Sequence, residues 1–393
     1  MTLHFTATCA PGLERALAGE LADLDLDSVK IAHRVVRFAG TLADGYRACL
    51  WSRVASRILL PVDTVYAGSV RALYAELRKI RWLEHLGPHR TLAVHFVGTD
   101  ERIRNSHFGA LKVKDAIVDT IRQFAGDRPS IDTEAPDVRI HAWLHRKRVT
   151  VSLDLSGDPL HLRGLNRDGG PAPLKETLAA GILRYAGWHR HGPAGAPLVD
   201  PLCGSGTFLL EAADVLADRA PGLARPRWGF QGWKGHEPEA WEGLLAEARE
   251  RVRPLPRGRL FGFDDDPDQV ERARANLATI GAADAVPIER RALRDQEPPV
   301  PGREALPHGL VVTNPPYGER LGDEEAVRAL WSELGDVLRR RFLGWTAWLL
   351  AGNPQLPKAL GLRPKRRIEL YNGPIEARLL HVPISDRPVA RDR

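Results

Sequence analysis

The sequence predicts an α/β fold in which a doubly wound, mostly parallel sheet follows a smaller α+β region. Three observations support this prediction. From residue 197 onward, apolar strand-like runs alternate with amphipathic helix-like segments. A glycine-rich loop at residues 200–207 separates the first of these strands from its helix. Before residue 156, strand-like and helix-like segments also alternate, and two of the strands read as a hairpin.

Composition limits the classes of protein to which the chain can belong. It has 393 residues, 43% of them hydrophobic and 27% charged, which is typical of two or three packed domains and excludes wholesale disorder. Lys and Arg outnumber Asp and Glu by 56 to 50. That modest excess suits a polyanionic partner, but a solvated surface is an equally ordinary reason for it.

The cysteines and the apolar runs bear on metal content and location. Cys9, Cys49 and Cys203 are too widely spaced for a zinc site or a disulfide framework, so we expect no metal. The first residues lack a basic segment followed by a long apolar run, and the most apolar stretch, residues 342–351, is too short to cross a bilayer. These features predict a soluble, cytoplasmic protein with no membrane partner. We also expect the protein to be a monomer.

The elements of the N-terminal part follow from the spacing of its apolar residues. Alternation predicts strands and a period near 3.6 predicts helices. The predicted elements are strands at 35–38, 91–97, 138–144 and 149–155, and helices at 46–58, 74–80 and 108–124. The last two strands flank a basic tip at residues 145–148, which predicts a hairpin turn.

A Gly-, Pro-, Asp- and Asn-rich stretch at residues 156–172 predicts the main linker between the two parts. The chain after it alternates between the two kinds of element, as a doubly wound sheet requires. The predicted helices are 175–187, 207–219, 266–280 and 324–342, and the predicted strands are 198–199, 259–264, 310–313 and 344–350.

The glycine-rich loop is the first candidate binding site. Gly204 and Gly206 permit positive φ and a close approach of backbone to a ligand, and the helix that follows presents free N–H groups. The loop lacks the third glycine of a dinucleotide fingerprint, and the acid at its start, Asp200, suits a cationic amino-acid moiety better than a pyrophosphate. A tight structural turn is the alternative. The candidate cofactor-binding residues are Asp200, Pro201, Cys203, Gly204, Ser205, Gly206 and Thr207.

The next strand ends in a second acid, Asp264. A carboxylate in that position is well placed to accept hydrogen bonds from both hydroxyls of a ribose. Asp266 precedes Pro267, which is the pattern of a helix N-cap followed by Pro at the first helical position. We therefore assign Asp264 to the ribose and Asp266 to the cap.

A polar and proline-rich tetrapeptide, Asn314, Pro315, Pro316 and Tyr317, follows the strand at 310–313 and carries the candidate catalytic groups. The amide oxygen of Asn314 and the carbonyl of Pro315 can both accept N–H groups of a planar exocyclic amine and so orient its nitrogen toward a sulfonium methyl. The prolines stiffen the loop, and Tyr317 can stack on a flipped base. A proline-rich turn is the alternative reading of this segment.

Cys203 raises the question of C5 methylation of cytosine, which uses a cysteine nucleophile. The residue lies inside the glycine-rich loop, where a small packed side chain is the more ordinary role. We therefore expect amine chemistry rather than C5 chemistry.

Taken together, these motifs resemble those of the THUMP-domain methyltransferases that modify the N2 amino group of a guanine in bacterial large-subunit (23S) ribosomal RNA. The resemblance covers nearly the whole chain. Its motifs are residues 162–164, 172–180, 200–207, 218–222, 228–230, 314–321 and 370–374. A long insert with Trp228, Trp233 and Trp241, between the glycine-rich loop and the second strand, is also similar to the family.

The resemblance implies a Rossmann-like class I methyltransferase sheet that uses S-adenosyl-L-methionine, preceded by an α+β ferredoxin-like/THUMP RNA-binding region. It places the ferredoxin-like segment at residues 1–60, the THUMP domain at 43–155, the linker at 156–172 and the methyltransferase domain at 173–393. Two departures stand out. The family's Arg-Gly-Tyr-Arg becomes Arg-Gly-Leu-Asn at residues 163–166, and Ala292 occupies the position expected for an acid near the adenine amino group.

RNA contacts are expected from basic side chains, which give affinity without sequence choice. The candidates are Lys112, Lys114, Arg146, Lys147, Arg148 and Arg163. The expected activity is methylation of a guanine N2 in large-subunit ribosomal RNA or its assembly precursor. The alternatives are N6-adenine or N4-cytosine methylation of RNA, methylation of a protein glutamine amide, and a non-catalytic ribosome-assembly factor.

Overall fold

The computed structural model describes residues 2–169, 174–299, 309–317 and 324–385. The chain divides into two compact units. The first contains residues 1–9, 17–164 and 222–248, and the second contains residues 10–16, 165–221 and 249–393.

The strands of the described residues form one sheet in each unit. In chain order they are β1 (Leu3–Thr8), β2 (Asp27–Ala32), β3 (Val35–Gly40), β4 (Arg57–Tyr66), β5 (Thr91–Val97), β6 (Ser130–Ile131), β7 (Val138–His145), β8 (Arg148–Asp154), β9 (Leu198–Asp200), β10 (Leu260–Asp264), β11 (Ile288–Arg290), β12 (Leu310–Thr313), β13 (Thr346–Ala351), β14 (Arg366–Asn372) and β15 (Ile375–Pro383).

The helices of the described residues are α1 (Glu14–Asp23), α2 (Leu42–Trp51), α3 (Val70–Leu77), α4 (Ser106–Ala125), α5 (Glu176–Tyr185), α6 (Trp188–His191), α7 (Thr207–Leu216), α8 (Pro238–Arg251), α9 (Pro267–Ala278), α10 (Glu324–Arg341) and α11 (Leu356–Ala359). Within that part of the chain, no helix is long and apolar enough to cross a membrane.

The first unit is built on a mixed sheet in which the described strands follow the order β2-β3-β1-β4-β8-β7-β5-β6. Every neighbouring pair is antiparallel except β5 with β7 and β5 with β6, which are parallel. The hairpin predicted around residues 145–148 is confirmed, because β7 and β8 pair antiparallel with His145 opposite Arg148.

The helix predicted at residues 46–58 is wrong in its extent. α2 begins four residues earlier, behind a capping box in which Thr41 and Asp44 bond each other's backbone N–H groups, and it ends at Trp51. The buried carboxylate of Glu20 accepts hydrogen bonds from the Arg53 and Val54 N–H groups, which fixes a non-helical path. β4 then starts at Arg57, a strand that the helical spacing concealed.

The second unit contains the doubly wound sheet, and the described strands follow the order β11-β10-β9-β12-β13-β15-β14. β9 to β13 are parallel, whereas β15 runs antiparallel between β13 and β14. The predicted fold class is confirmed, with an antiparallel hairpin added at one edge. Leu198 of β9 pairs with both Leu260 and Leu310, so the carboxyl ends of the three central strands lie at one edge of the sheet.

α10 packs against one face of this sheet and forms part of its hydrophobic core. Trp331, Leu334 and Leu338 of that helix are almost fully buried against Val311 and Leu349. The predicted cap of α9 is confirmed, since the Asp266 side chain accepts from the Asp268 N–H and Pro267 takes the first helical position.

The tryptophan-rich insert packs with the first unit, although it lies in sequence between β9 and β10. Trp228 and Trp241 are nearly fully buried and meet edge to face, with ring centroids 5.4 Å apart. Phe230 stacks on Trp228 and lies 4.2 Å from the ring of Tyr46 in α2. These rings are core rather than exposed stacking surfaces.

Candidate active site

The glycine-rich loop takes the left-handed turn that its two glycines permit. Gly204 has φ +52° and Gly206 φ +81°. A Cβ added at Gly204 would meet nothing nearer than the Gln269 Oε1 at 3.9 Å, whereas one added at Gly206 would lie 3.3 Å from the Cβ of Ala273 in α9. Gly206 therefore serves helix packing, and Gly204 leaves space beside the loop.

Asp264 binds the loop through its carboxylate. One oxygen accepts from the Gly204 N–H at 2.9 Å and the other from the Asp266 N–H at 3.1 Å. Each oxygen keeps a free lone pair, because a carboxylate oxygen can accept two bonds. Burial, the largest cause, raises the pKa of Asp264 above its ordinary value.

Asp200 is almost completely buried at the end of β9, with 1% of its surface exposed. Burial, the largest cause, and the neighbouring charge of Asp264 together raise the pKa of its carboxyl to about 7, against the opposing effects of the Thr313 side chain and the Leu202 N–H. The Leu202 N–H donates to Oδ1 at 3.3 Å. Among the described residues, no Lys or Arg forms an ion pair with either Asp200 or Asp264.

Two buried amide side chains that the sequence analysis missed hold the loop from outside. Asn276 of α9 donates from Nδ2 to the carbonyl of Ser205 at 2.9 Å. Gln296 donates from Nε2 to the carbonyl of Pro201 at 2.9 Å. Asn276 also donates to the Asp168 carbonyl and accepts from the Asp168 N–H, so one amide joins the interdomain segment to the loop.

The remaining loop side chains are packed or paired locally. The hydroxyls of Ser205 and Thr207 lie 3.3 Å apart at the start of α7. Cys203 is buried, and burial raises the pKa of its thiol well above the ordinary value. A thiol held protonated is a poor nucleophile, so the geometry agrees with the expectation against C5 chemistry.

The tetrapeptide begins directly after β12, and Asn314 and Tyr317 are half-buried there. The Tyr317 hydroxyl donates to the amide oxygen of Asn314. The Tyr317 ring lies against Gly352, where an added Cβ would fall 2.5 Å from the ring. The indole N–H of Trp331 donates to the Pro316 carbonyl at 3.2 Å, which ties the segment to α10. Residues 318–321 of the same motif lie outside the described residues.

The structure thus brings three predicted groups to one edge of the sheet. Asp200, Asp264 and Asn314 stand at or just after the carboxyl ends of β9, β10 and β12, which are adjacent parallel strands. In open α/β sheets this is the edge at which ligands bind. No group of three or more His, Cys, Asp or Glu able to hold a metal ion occurs in the described part of the chain.

The predicted RNA contacts are dispersed over the first unit. Arg146, Lys147 and Arg148 are exposed at the β7–β8 turn. Lys112 and Lys114 both lie within salt-bridge distance of Asp115 in α4.

The expectation for Arg163 does not fit the structure. Only 4% of the residue is exposed, and its guanidinium donates to the carbonyls of Leu160 and Arg53 at 2.8 Å each. Both partners are backbone groups, so this arginine braces the chain and does not present its charge to a phosphate.

The strand order of the second unit, the glycine loop after its central strand and the Asn-Pro-Pro-Tyr segment after β12 define a Rossmann-like methyltransferase. Comparison with protein families agrees with this class. Residues 163–381 match the RMKL-like methyltransferase domain, residues 4–59 the RlmL ferredoxin-like domain, and residues 67–154 the THUMP domain. The chain belongs to the RMKL-like methyltransferase family.

Curated relatives match almost the whole chain. A ribosomal RNA large subunit methyltransferase K/L of Allochromatium vinosum is 46% identical over 385 residues, which are 98% of this chain and 52% of that protein. One from Syntrophotalea carbinolica is 45% identical over 390 residues, 98% of this chain and 54% of that protein. The chain therefore spans about half the length of the curated relatives it matches.

Solved structures match nearly the whole chain. A putative methyltransferase, SMU.472, in complex with SAH has a TM-score of 0.84 and 28% identity, with 98% of this chain and 99% of that chain covered. A possible methylase from Clostridium difficile 630 has a TM-score of 0.87 and 26% identity, with 99% of this chain and 100% of that chain covered.

Proposed function

We propose that this chain transfers a methyl group from S-adenosyl-L-methionine to the exocyclic N2 amino group of a guanine in large-subunit ribosomal RNA. The observation that carries the proposal is the placement of Asn314 and Pro315 on the same sheet edge as the glycine loop. The curated relatives are ribosomal RNA large subunit methyltransferases, which supports the choice of substrate. Such a substrate also supports a cytoplasmic location.

The residues around the loop fit a cationic cofactor. Asp200 and Asp264 are two buried carboxylates with no ion-paired Lys or Arg among the described residues, and the space beside Gly204 is open. A buried carboxylate is stabilised in its charged form by an opposite charge, so the site favours a ligand that carries an ammonium group. Asp200 would accept from that ammonium and Asp264 from the ribose hydroxyls. The bound cofactor supplies an electrophilic methyl group.

The tetrapeptide supplies the orientation of the nucleophile. The amide oxygen of Asn314 and the carbonyl of Pro315 accept the two N–H groups of the guanine amine, which aims its nitrogen at the methyl carbon. As the new N–C bond forms and the S–C bond breaks, positive charge builds on the nitrogen, and both acceptors stabilise it. The nitrogen then loses one proton to water and becomes a neutral secondary amine.

Tyr317 occupies part of the acceptor in this structure, because its hydroxyl donates to the Asn314 oxygen. An amide oxygen accepts two hydrogen bonds, so Tyr317 and a guanine N–H group can share it. The contact also fixes the direction of the Asn314 side chain before substrate arrives, which is the condition for preorganised catalysis.

The test is nucleoside mass spectrometry of ribosomal RNA from a deletion strain complemented with wild type or Asn314→Ala. We expect N2-methylguanine to be lost in the deletion strain, restored by wild type and not restored by the variant. With purified proteins, turnover should fall by about 10²–10³-fold while S-adenosylhomocysteine binds as before. Near wild-type turnover in Asn314→Ala would refute the mechanism, and loss of a methylated adenine or cytosine instead would refute the substrate.

A further inference from the structure

The face of the N-terminal sheet that α2, α3 and α4 do not cover carries a large groove. It has a volume of about 1090 Å³ and extends over strands β2, β3, β1, β4, β8 and β7 to the end of β5. Side chains alternate between the two faces of a strand. In β7, His141, Trp143 and His145 line the groove, whereas Ile140, Ala142 and Leu144 are buried in the core.

The strand registers place groove residues side by side on neighbouring strands. Lys30 of β2 pairs with Arg37 of β3, which pairs with Thr6 of β1. At the other end, Ser152 of β8 pairs with His141 of β7. Neighbouring strands are about 4.8 Å apart, so the five steps from β2 to β7 span about 24 Å, enough for several nucleotides of an extended strand.

One end of the groove is cationic. Lys30, Arg34 and Arg37 are exposed there, and none of them forms an ion pair with a carboxylate of the described residues. None of the described residues that line the groove is Asp or Glu. The charge at this end is therefore available to an anionic partner.

The other end is aromatic. Trp143 is 39% exposed, a large apolar area for a side chain on an open sheet face. It stacks on His145, with ring centroids 5.1 Å apart and planes at 11°. Two parallel, exposed rings form a platform of the kind on which a nucleic-acid base stacks.

Groups that can read polar edges lie beside the aromatic end, where Thr150 pairs with Trp143. The hydroxyls of Thr64 and Thr150 lie 2.9 Å apart on neighbouring strands. Burial, together with the nearby His95 and Arg57, lowers the pKa of His141 to about 3, so this ring is neutral. A neutral imidazole both donates and accepts, as a base edge requires.

We infer that this groove, which runs from Lys30 and Arg37 to Trp143, holds an unpaired segment of the RNA substrate, with phosphates at the cationic end and a base on the Trp143–His145 platform. The inference rests on the proposed function for the identity of the RNA. A duplex fits less well, because its bases already stack on each other and its edges are paired. An acidic peptide would satisfy the cationic end and leave the aromatic platform unused.

The test is fluorescence anisotropy with the full chain and two labelled RNA probes, a single strand of about 12 nucleotides and a blunt duplex of equal length. We expect the single strand to bind more tightly than the duplex. Trp143→Ala should weaken single-strand binding about tenfold, and Trp143→Phe should restore most of it, because a base also stacks on a phenyl ring. The matched control is Phe124→Ala, which removes a 68%-exposed ring outside the groove and should change nothing.

The cationic end is tested through the salt dependence. Replacing Lys30 and Arg37 by Gln should lower the slope of log K against log salt by about 1.4, since each phosphate contact on a single strand contributes about 0.7. The control pair Arg71→Gln and Arg128→Gln removes two exposed charges outside the groove and should leave the slope unchanged.

The outcomes separate this inference from the proposed function, because the anisotropy measurement needs no methyl transfer. If Asn314→Ala keeps full turnover but Trp143→Ala no longer binds the single-stranded RNA, the methylation mechanism is refuted and RNA binding in the groove is supported. Three results would refute RNA binding in the groove. The first is a duplex that binds as tightly as the single strand, and the second is an acidic peptide of the same charge that displaces the RNA from wild type and from Trp143→Ala equally well. The third is that both groove variants match their controls.

Discussion

Asp200→Asn should make the ligand-free protein more stable while it weakens the binding of the cofactor. The carboxyl is fully buried with its pKa raised from 3.8 to about 7. Because the folded pKa is raised, the associated stability is fully present below pH 3.8 and is lost as the pH rises to about 7. Three units at 1.36 kcal/mol each correspond to a loss on the order of 4 kcal/mol, mainly from desolvation of the charge.

Asparagine has nearly the same shape, its oxygen can still accept from the Leu202 N–H, and it carries no charge. The variant should therefore exceed wild type in free energy of unfolding by about 4 kcal/mol at pH 8 and by about 2 kcal/mol at pH 5, where the wild-type carboxyl is already protonated in the folded state. Urea denaturation of the full chain at both pH values measures the difference. Asp284→Asn, an exposed carboxylate in the same unit, is the control and should give equal stability at both.

Binding provides the second half of the prediction. Loss of a charge-assisted hydrogen bond to an ammonium group costs about 1.5–3 kcal/mol, so S-adenosylhomocysteine should bind Asp200→Asn about 10- to 100-fold more weakly at pH 8 by calorimetry. A stabilised protein with weakened ligand binding is the expected signature of a residue retained for function. A variant that is equally stable at pH 5 and pH 8 relative to wild type, or that binds the ligand unchanged, would refute this account of Asp200.

Two further predictions concern the loop and its supports. Asn276→Ala removes the amide that bonds the Ser205 carbonyl and both backbone groups of Asp168, so we expect a loss on the order of 2–3 kcal/mol in unfolding free energy and weaker binding of S-adenosylhomocysteine, measured by denaturation and calorimetry. Unchanged ligand binding would show that the loop keeps its path without this amide. Gly204→Ala places a methyl group in the open space beside the loop at positive φ, so stability should fall by about 1 kcal/mol and ligand affinity by more. Gly258→Ala, also at positive φ and with open space around it, is the matched control and should lose stability alone.

Most of the doubly wound sheet could be predicted from the sequence because short apolar runs alternate regularly with helix-like segments. β10, β12 and β13 are buried apolar runs, and the helices between them repeat their apolar residues at helical spacing. The edge hairpin of β14 and β15 was not predicted. β14 is rich in exposed charged and polar residues, so its sequence has little of the apolar alternation of a strand.

The first unit was harder to predict because several of its elements depend on contacts between distant residues. The sequence pattern of the β4 segment predicts a continuation of α2. In the structure Glu20, more than 30 residues earlier, accepts hydrogen bonds from the N–H groups that follow the helix, and the helix ends there. The position of the insert is a similar case. Its aromatic residues are evident in the sequence, but nothing local indicates that Trp228 and Trp241 join a core with Tyr46.

Some residues of the candidate site could likewise be predicted from the local sequence pattern, whereas others depend on contacts between distant residues. Asp200, Asp264 and Asn314 could be predicted because each follows a strand, and parallel strands end at a common edge. The sequence does carry a signal for Asn276: it stands three residues after Ala273 and six after Val270, on the apolar face of α9, where a polar side chain needs a buried partner.

Gln296 gave no comparable signal, because it follows a short 3-10 turn in a segment without periodicity, and its burial becomes evident only when its bond to the Pro201 carbonyl is seen. The two amides act on opposite ends of the glycine loop, at Pro201 and at Ser205. The strand order thus predicts which groups would touch the cofactor. The precision of their placement depends on side chains 71 to 95 residues away in sequence. A motif therefore identifies the chemistry of this site, and the packing around it determines how rigidly that chemistry is held.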